Sequence, residues 1–279
     1  MTIPARRALQ YEFELSVDGG GALEEYLDGL FHALPLATSP EPVPWRLKPV
    51  DGTDKTGWEL MVGEECQSRA ESAERLVHDV VHQLNAIAIP GWDGVVCHAG
   101  GVTRGALGVV LPADMESGKT TLTAGLVRAG FGYLTDEGVA FHRGGRLIEP
   151  YAKPLSIDPG SQFLFPELEP DAPLANDEYK TMQWQVPPRA FREGAVGAPC
   201  DVGVIVFPNY EEGARSELVP VRPAEALVEM AKNTFSFNTD SRAALDELVV
   251  IVRAVPSYRL TVGSLDEAVG IIEELTADV

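Results

Sequence analysis

The sequence predicts a mixed α/β protein built as a small α+β region over residues 1–92 and a larger α/β domain over residues 93–279. Three observations predict it. An apolar run, Ala106–Leu111, passes through a polar loop into a helical segment, Thr120–Ala129, and a short strand, Tyr133–Thr135, then ends at Asp136. Residues 10–90 instead alternate short strand-like pieces, Tyr11–Leu15 and Trp58–Val62, with helical stretches at Ala22–Leu34 and Arg69–Ala88. The last third sets a strand of buried type, Val202–Phe207, before helices at Pro223–Lys232, Ser241–Ala254 and Leu265–Ala277.

Each element has a local reason. Leu76, Val80, Leu84 and Ile87 recur at helical spacing and make one apolar stripe. Gly130 stands where a helix ends on a left-handed residue. A strand–helix–strand run of this length normally pairs its two strands in parallel. Val139–His142 and Arg146–Ile148 flank Gly144-Gly145, a pair able to take the positive φ angles of a tight hairpin. Ile157–Pro199 is rich in Pro, Gly and acidic residues, has little periodicity, and reads as a long irregular excursion. Ser264 and Glu267 form a capping box for the last helix.

Composition narrows the function. Among 279 residues, 45% are apolar and 23% charged, ordinary values for a globular chain. Lys and Arg number 22 against 42 Asp and Glu, a net charge of −20, so the protein repels polyanions at a distance. Nucleic acid and an anionic membrane surface are therefore not expected as partners. Any bound polyphosphate needs a local positive site made of backbone amides, lysine and a metal ion. Cys66, Cys97 and Cys200 are scattered and form no C-x-x-C pair, which argues against a disulfide framework or a thiolate zinc site. With no apolar run of about 18 residues and no signal-peptide pattern, the expectation is a soluble protein of the reducing cytoplasm.

The loop between the first strand and helix reads Ala113-Asp114-Met115-Glu116-Ser117-Gly118-Lys119-Thr120, followed by Thr121. It matches G-x-x-x-x-G-K-[ST] except that Ala113 stands at the first glycine. In such a loop backbone N–H groups and the helix N-terminus surround the β-phosphate, the lysine reaches the β/γ-oxygens, and the hydroxyl binds Mg²⁺. Residues Ala113 to Thr121 are thus the candidate ATP site, with Lys119 as phosphate clamp and Thr120 as Mg²⁺ ligand. The plain alternative is a polar helix start. A preceding strand and a following strand that ends in an acid favour the phosphate loop. Ala113 and Glu116 are departures, because alanine tolerates positive φ poorly and a carboxylate beside a triphosphate is repelled.

From Cys97 to Phe141 the order and spacing resemble the HPr kinase/phosphorylase-related family, whose P-loop domain is similar to that of phosphoenolpyruvate carboxykinase. The residues that carry the resemblance are His98, the strand Gly105–Leu111, Ser117-Gly118-Lys119-Thr120, Leu126-Val127-Arg128-Ala129-Gly130-Phe131 and Leu134-Thr135-Asp136-Glu137. Tyr258-Arg259-Leu260 and Leu265-Asp266-Glu267-Ala268 extend it to about residue 275. The first ninety residues lie outside it. So does the glycine-rich signature tied to the phosphorylase reaction, which has no counterpart between Ile157 and Cys200. The resemblance implies Asp136 as the carboxylate that accepts the proton of the attacking hydroxyl, Glu137 near the metal, and His98 supporting Asp136. It implies a kinase that moves the γ-phosphate of ATP to a hydroxyl of a peptide, a protein or a small molecule. A nucleotide-dependent binding module that keeps the loop without transfer stays open, as does an oligomer.

Other constellations read as ordinary structure. His78 and His82 are four apart on a helix but lack a third ligand. Lys180, Arg189 and Arg192 fall in the excursion, as solvated charges or as an internal finger on the γ-phosphate. Arg259 either pairs with an acid or faces the nucleotide. Phe163, Phe165, Trp184, Phe191, Phe235 and Phe237 are expected to pack in the core.

Overall fold

The computed structural model describes residues 3–51, 56–114, 117–170, 181–235 and 241–277. It is mixed α/β, with six α-helices among the described residues. The chain forms two compact units, Met1–Gly91 with Lys153–Ala190, and Trp92–Ala152 with Phe191–Val279. The excursion is thus counted with the first unit, whereas a single division at residues 92/93 assigns it to the second. No helix among the described residues is long and apolar enough to cross a membrane.

The first unit opens with β1 (Arg6–Ala8), β2 (Tyr11–Val17), α1 (Ala22–Phe31), β3 (Val43–Asp51), β4 (Thr56–Val62), β5 (Glu65–Ala70) and α2 (Ala73–Ala88). The strands lie in that order in one sheet, antiparallel except for the parallel pair β2–β3 that α1 connects. Strand alternation buries Phe13, Leu15, Trp45, Leu47 and Leu60 while Glu14, Ser16 and Arg46 face out. Helix α2 starts later than Arg69, because Arg69 and Ala70 complete β5 and the Ser72 hydroxyl accepts from Arg75 N at 3.2 Å as the cap. Leu76, Val80 and Leu84 are fully buried, and Ile87 is only half-buried at the edge of the stripe. His78 and His82 stack 6.4 Å apart, and no group of three ligating side chains occurs among the described residues.

The second unit begins with β6 (Gly94–Arg104), β7 (Leu107–Pro112), α3 (Lys119–Arg128), β8 (Gly132–Thr135), β9 (Gly138–His142) and β10 (Leu147–Glu149). The chain then supplies the first unit with a small antiparallel pair, β11 (Leu155–Ile157) and β12 (Trp184–Val186). It returns as β13 (Cys200–Tyr210), β14 (Glu217–Val221), α4 (Pro223–Lys232), α5 (Ser241–Ala254), β15 (Ser257–Val262) and α6 (Leu265–Leu275). The sheet order is β10-β9-β6-β7-β13-β15-β14, β8 pairs with β6, and β10 also pairs with β13, so five strands close a ring. Val110, Leu134, Phe141, Ile148, Ile205, Leu248 and Ile251 lie in one core cluster with further residues of the sheet, α4 and α5.

Three expectations change here, and one holds. Strands β7 and β8 are not paired with each other: β6 lies between them and is antiparallel to both, so they run the same way one strand apart. The capping box is half-formed. Ser264 accepts from Glu267 N at 3.3 Å, but the Glu267 carboxylate takes Ser216 N at 3.3 Å rather than closing back on the cap. Phe165 and Trp184 are buried, but Phe163 is 75% and Phe235 40% exposed, so these two are not core, and Phe237 lies outside the described residues. The predicted β9–β10 hairpin forms with Gly144 at φ 68° and Ile148 opposite Phe141.

Candidate functional site

Three segments meet along β6. On one side Pro112, the last residue of β7, lies opposite Ala99. On the other, Thr135, the last residue of β8, lies opposite Gly101. The line of pairing then resumes with Gly138 of β9 opposite His98. The loop that leaves β7 and the Asp136-Glu137 step between β8 and β9 therefore emerge at one level of the sheet. Two strand spacings separate them, about 10 Å.

Local bonds shape the Asp136-Glu137 step. The Thr135 hydroxyl accepts from Glu137 N at 3.2 Å and Gly138 N at 3.3 Å, and Ala99 N donates to Glu137 O at 3.2 Å. These bonds turn the backbone out of the ladder for two residues, as bulges beside functional sites do. Asp136 is only 2% exposed. The Tyr133 hydroxyl donates to its Oδ1 at 2.9 Å. Burial, and then the Asp136 charge, hold the Tyr133 phenol well above its ordinary value. Tyr151, also fully buried, is raised first by burial, then by Glu137 and Asp136. Both phenols remain protonated beside the two acids.

His98 serves Glu137, not Asp136. Its Nδ1 lies 3.2 Å from Glu137 O and 3.4 Å from Glu137 Oε1. Both partners are acceptors, so Nδ1 carries the hydrogen. Nε2 is buried with no hydrogen-bond partner among the described residues, and the ring meets Phe235 edge-on at 5.4 Å.

On the loop side, Gly118 caps α3 with φ 83° and ψ 11°, a left-handed conformation that glycine adopts without penalty. The first bond of α3 runs from Leu122 N to Gly118 O at 2.9 Å. A helix leaves its first N–H groups without intrahelical acceptors, here including those of the half-buried Thr120 and Thr121. Lys119 is buried, at 8% exposure. Ser117 turns inward on the loop, its hydroxyl donating to Asp114 O at 2.7 Å, while the Asp114 side chain is exposed. Ala113 is buried without positive φ, so alanine in place of the first glycine brings no backbone strain. Met115 and Glu116 lie outside the described residues.

Helix α3 comes close to β6 at Gly100, which has no side chain. A β-carbon at Gly100 would stand 2.2 Å from the Thr123 hydroxyl oxygen, which is buried with no hydrogen-bond partner among the described residues. On its other flank α3 touches α6, where a β-carbon at Gly125 would meet Leu265 at 2.7 Å.

Of the outlying basic candidates, Arg192 holds Gly130 O at 3.0 Å, Phe131 O at 2.9 Å and Gly194 O at 3.0 Å. The carbonyls of Gly130 and Phe131 follow the C-terminus of α3, roughly 15 Å along the helix from the loop. Arg192 is therefore a cap on that end. Arg189 belongs to the first unit, its guanidinium against Gly29 of α1. Lys180 lies outside the described residues. Arg259 is exposed and acts with Arg222, the stronger partner, to hold the Glu225 carboxyl below its ordinary value.

Tyr133, Thr135, Tyr151 and Gly100 belong to the site and escape a sequence reading. Only Thr135, a hydroxyl residue directly before two acids, carries a local signal. No family model and no curated protein matches the chain. A solved structure, that of the HPr(Ser) kinase/phosphatase from Coxiella burnetii, is similar over 66% of this chain and 99% of its own, with 13% identity and a TM-score of 0.33. A likeness that weak decides nothing about the chemistry, which rests on the geometry.

Proposed function

We propose that the second unit is a P-loop kinase domain of the HPr-kinase type, which binds ATP at Ala113–Thr121 and moves its γ-phosphoryl group to a hydroxyl of a peptide or protein. A small-molecule alcohol is the variant of the same chemistry. The observation that carries this reading is the level shared on β6 by the loop after β7 and by Asp136. A phosphate seated at the N-terminus of α3 points its reacting end toward a carboxylate about two strand spacings away.

The residues present fit a triphosphate with its metal. Gly118 opens the backbone, the start of α3 presents N–H groups and partial positive charge, and Lys119 adds a full one. Thr120 and Glu137 offer oxygen donors of the kind Mg²⁺ prefers, and these two would hold it. When bound, Mg²⁺ neutralises charge on the phosphate oxygens. The chain does the rest. Asp136, which accepts from Tyr133 at Oδ1, would take the proton of the attacking hydroxyl, a role that contributes about 10²–10⁴-fold. The hydroxyl oxygen bonds to the γ-phosphorus as the bond to the β,γ-bridging oxygen breaks, and ADP leaves.

The test is incubation with γ-labelled ATP, Mg²⁺ and a cell lysate, with Lys119→Met and Thr120→Ala alongside. Label on an acceptor, lost with Lys119→Met, is the expected result. Thr120→Ala weakens nucleotide binding chiefly when Mg²⁺ is present, and equal weakening in EDTA removes its metal role. Nucleotide binding with no transfer to any acceptor would leave the non-catalytic module instead.

A further inference from the structure

Tyr210 is the last residue of β13 and is 55% exposed, unusual for an aromatic side chain at the end of a buried strand. Its Cβ lies 3.6 Å from where a β-carbon on Gly118 would stand, so it borders the left-handed turn that opens α3. Register explains the proximity. Strand β13 runs parallel to β7, with Ile205 beside Val110, so both strands deliver their C-terminal ends to the same edge of the sheet.

The direction of the ligand follows from the layout of the acids. Asp136 and Glu137 leave β8, on the far side of β6 from β7, while Tyr210 leaves β13 on the opposite flank of β7. A nucleotide whose γ-phosphate faces Asp136 must extend its ribose and base away from it, toward β13. The phosphate clamp carries no information about the base. An exposed aromatic ring at the right flank supplies a face for it, since every nucleobase has a π-face to stack on.

We propose that Tyr210 is the platform on which the nucleobase stacks, which makes it the residue that distinguishes a nucleoside triphosphate from a bare polyphosphate. This rests on the reading of Ala113–Thr121 as a phosphate site. The neighbouring Asn209 donates one amide hydrogen to Glu211 Oε1 at 2.8 Å, so that group is partly engaged within the chain. Recognition of that kind selects for an aromatic base and discriminates weakly between bases.

The experiment is calorimetric titration of the full chain with Mg·ATP and, separately, with Mg·tripolyphosphate, for wild type, Tyr210→Ala, Tyr210→Phe and Lys119→Met. The expected result is that Tyr210→Ala weakens Mg·ATP by at least about fivefold, the lower bound for loss of one base stack. It leaves tripolyphosphate unchanged, and Tyr210→Phe keeps wild-type affinity for both. Lys119→Met weakens both ligands. If Tyr210→Ala binds Mg·ATP as wild type does, or loses ATP and tripolyphosphate in parallel, the platform is overturned while the phosphate site stands. If wild type binds neither ligand, the phosphate site fails and the platform falls with it.

Discussion

Tyr133 donates its phenolic hydrogen to Asp136 Oδ1 across 2.9 Å, three residues away in sequence, with both side chains buried. Tyr133→Phe removes this donor from a buried carboxylate. Hydrogen bonds to charged groups contribute roughly 1.5–3 kcal/mol, so a loss of about 2 kcal/mol in urea unfolding is expected at pH 7. The pH dependence has a definite sign. The folded phenol sits well above its ordinary value of 10.0, so the unfolded chain ionises first as pH rises. The wild type then loses stability above pH 10 while the phenylalanine variant does not lose that share. The gap between the two proteins should narrow in alkaline buffer, and a gap constant to pH 11 would remove the phenol from the account.

Asp136→Asn keeps size and one acceptor but cannot take a proton. Phosphotransfer is expected to fall by about 10²-fold or more while ATP affinity holds within a few-fold. Parallel titration and transfer assays decide it. Transfer at the wild-type rate excludes Asp136 as base, and joint loss of affinity and thermal midpoint makes it a metal ligand or a structural group instead.

Gly100 and Thr123 form a testable pair. Gly100→Ala places a methyl 2.2 Å from the Thr123 oxygen, and overpacking of this kind costs about 1–3 kcal/mol. Thr123→Ala alone should be close to neutral, because the hydroxyl it deletes is buried without a partner among the described residues. In the double variant most of the Gly100→Ala cost should disappear. Additive losses in denaturant titrations would show that α3 does not rest on β6 through this contact.

The three cysteines differ in reactivity. Cys66 is exposed; burial pushes the Cys97 thiol up to about 12 and raises Cys200 as well. Only thiolate reacts with a disulfide reagent. At pH 8 one thiol should titrate rapidly in the native protein, and all 3 after denaturation. Rapid modification of Cys97 would contradict its place in the core.

Legibility in the sequence followed the range of each interaction. The β9–β10 hairpin is readable because Gly144-Gly145 and its flanking apolar residues are adjacent, and α3 because its start is a short motif. Strand β6, on which the site is built, is not. Gly94, Ala99, Gly100 and Gly101 give it low strand propensity, and the glycine at 100 makes sense only once α3 lies over it. For the same reason the predicted β7–β8 pair fails, since the strand that separates them comes from upstream of both. Asp136 is recognisable at a strand end, but its support by Tyr133 and Tyr151 depends on side-chain reach through a packed interior. The proposed partnership of His98 with Asp136 gives way to Glu137 because β6 sets His98 level with Gly138, one residue past Glu137.

The interleaved course of the chain has a consequence for its birth on the ribosome. The first ninety-one residues belong to a unit that also takes Lys153–Ala190, and the second unit begins before that return and finishes after it. Domains normally fold in order of emergence, N-terminal first. Here each unit is complete only once a second segment has followed its first. The opening segment carries the whole sheet β1–β5 with α1 and α2, and β11 and β12 are added to its unit only after α3 and the Asp136 step have been made. Tyr210, the proposed platform for the base, emerges later still, well after the loop at Ala113–Thr121.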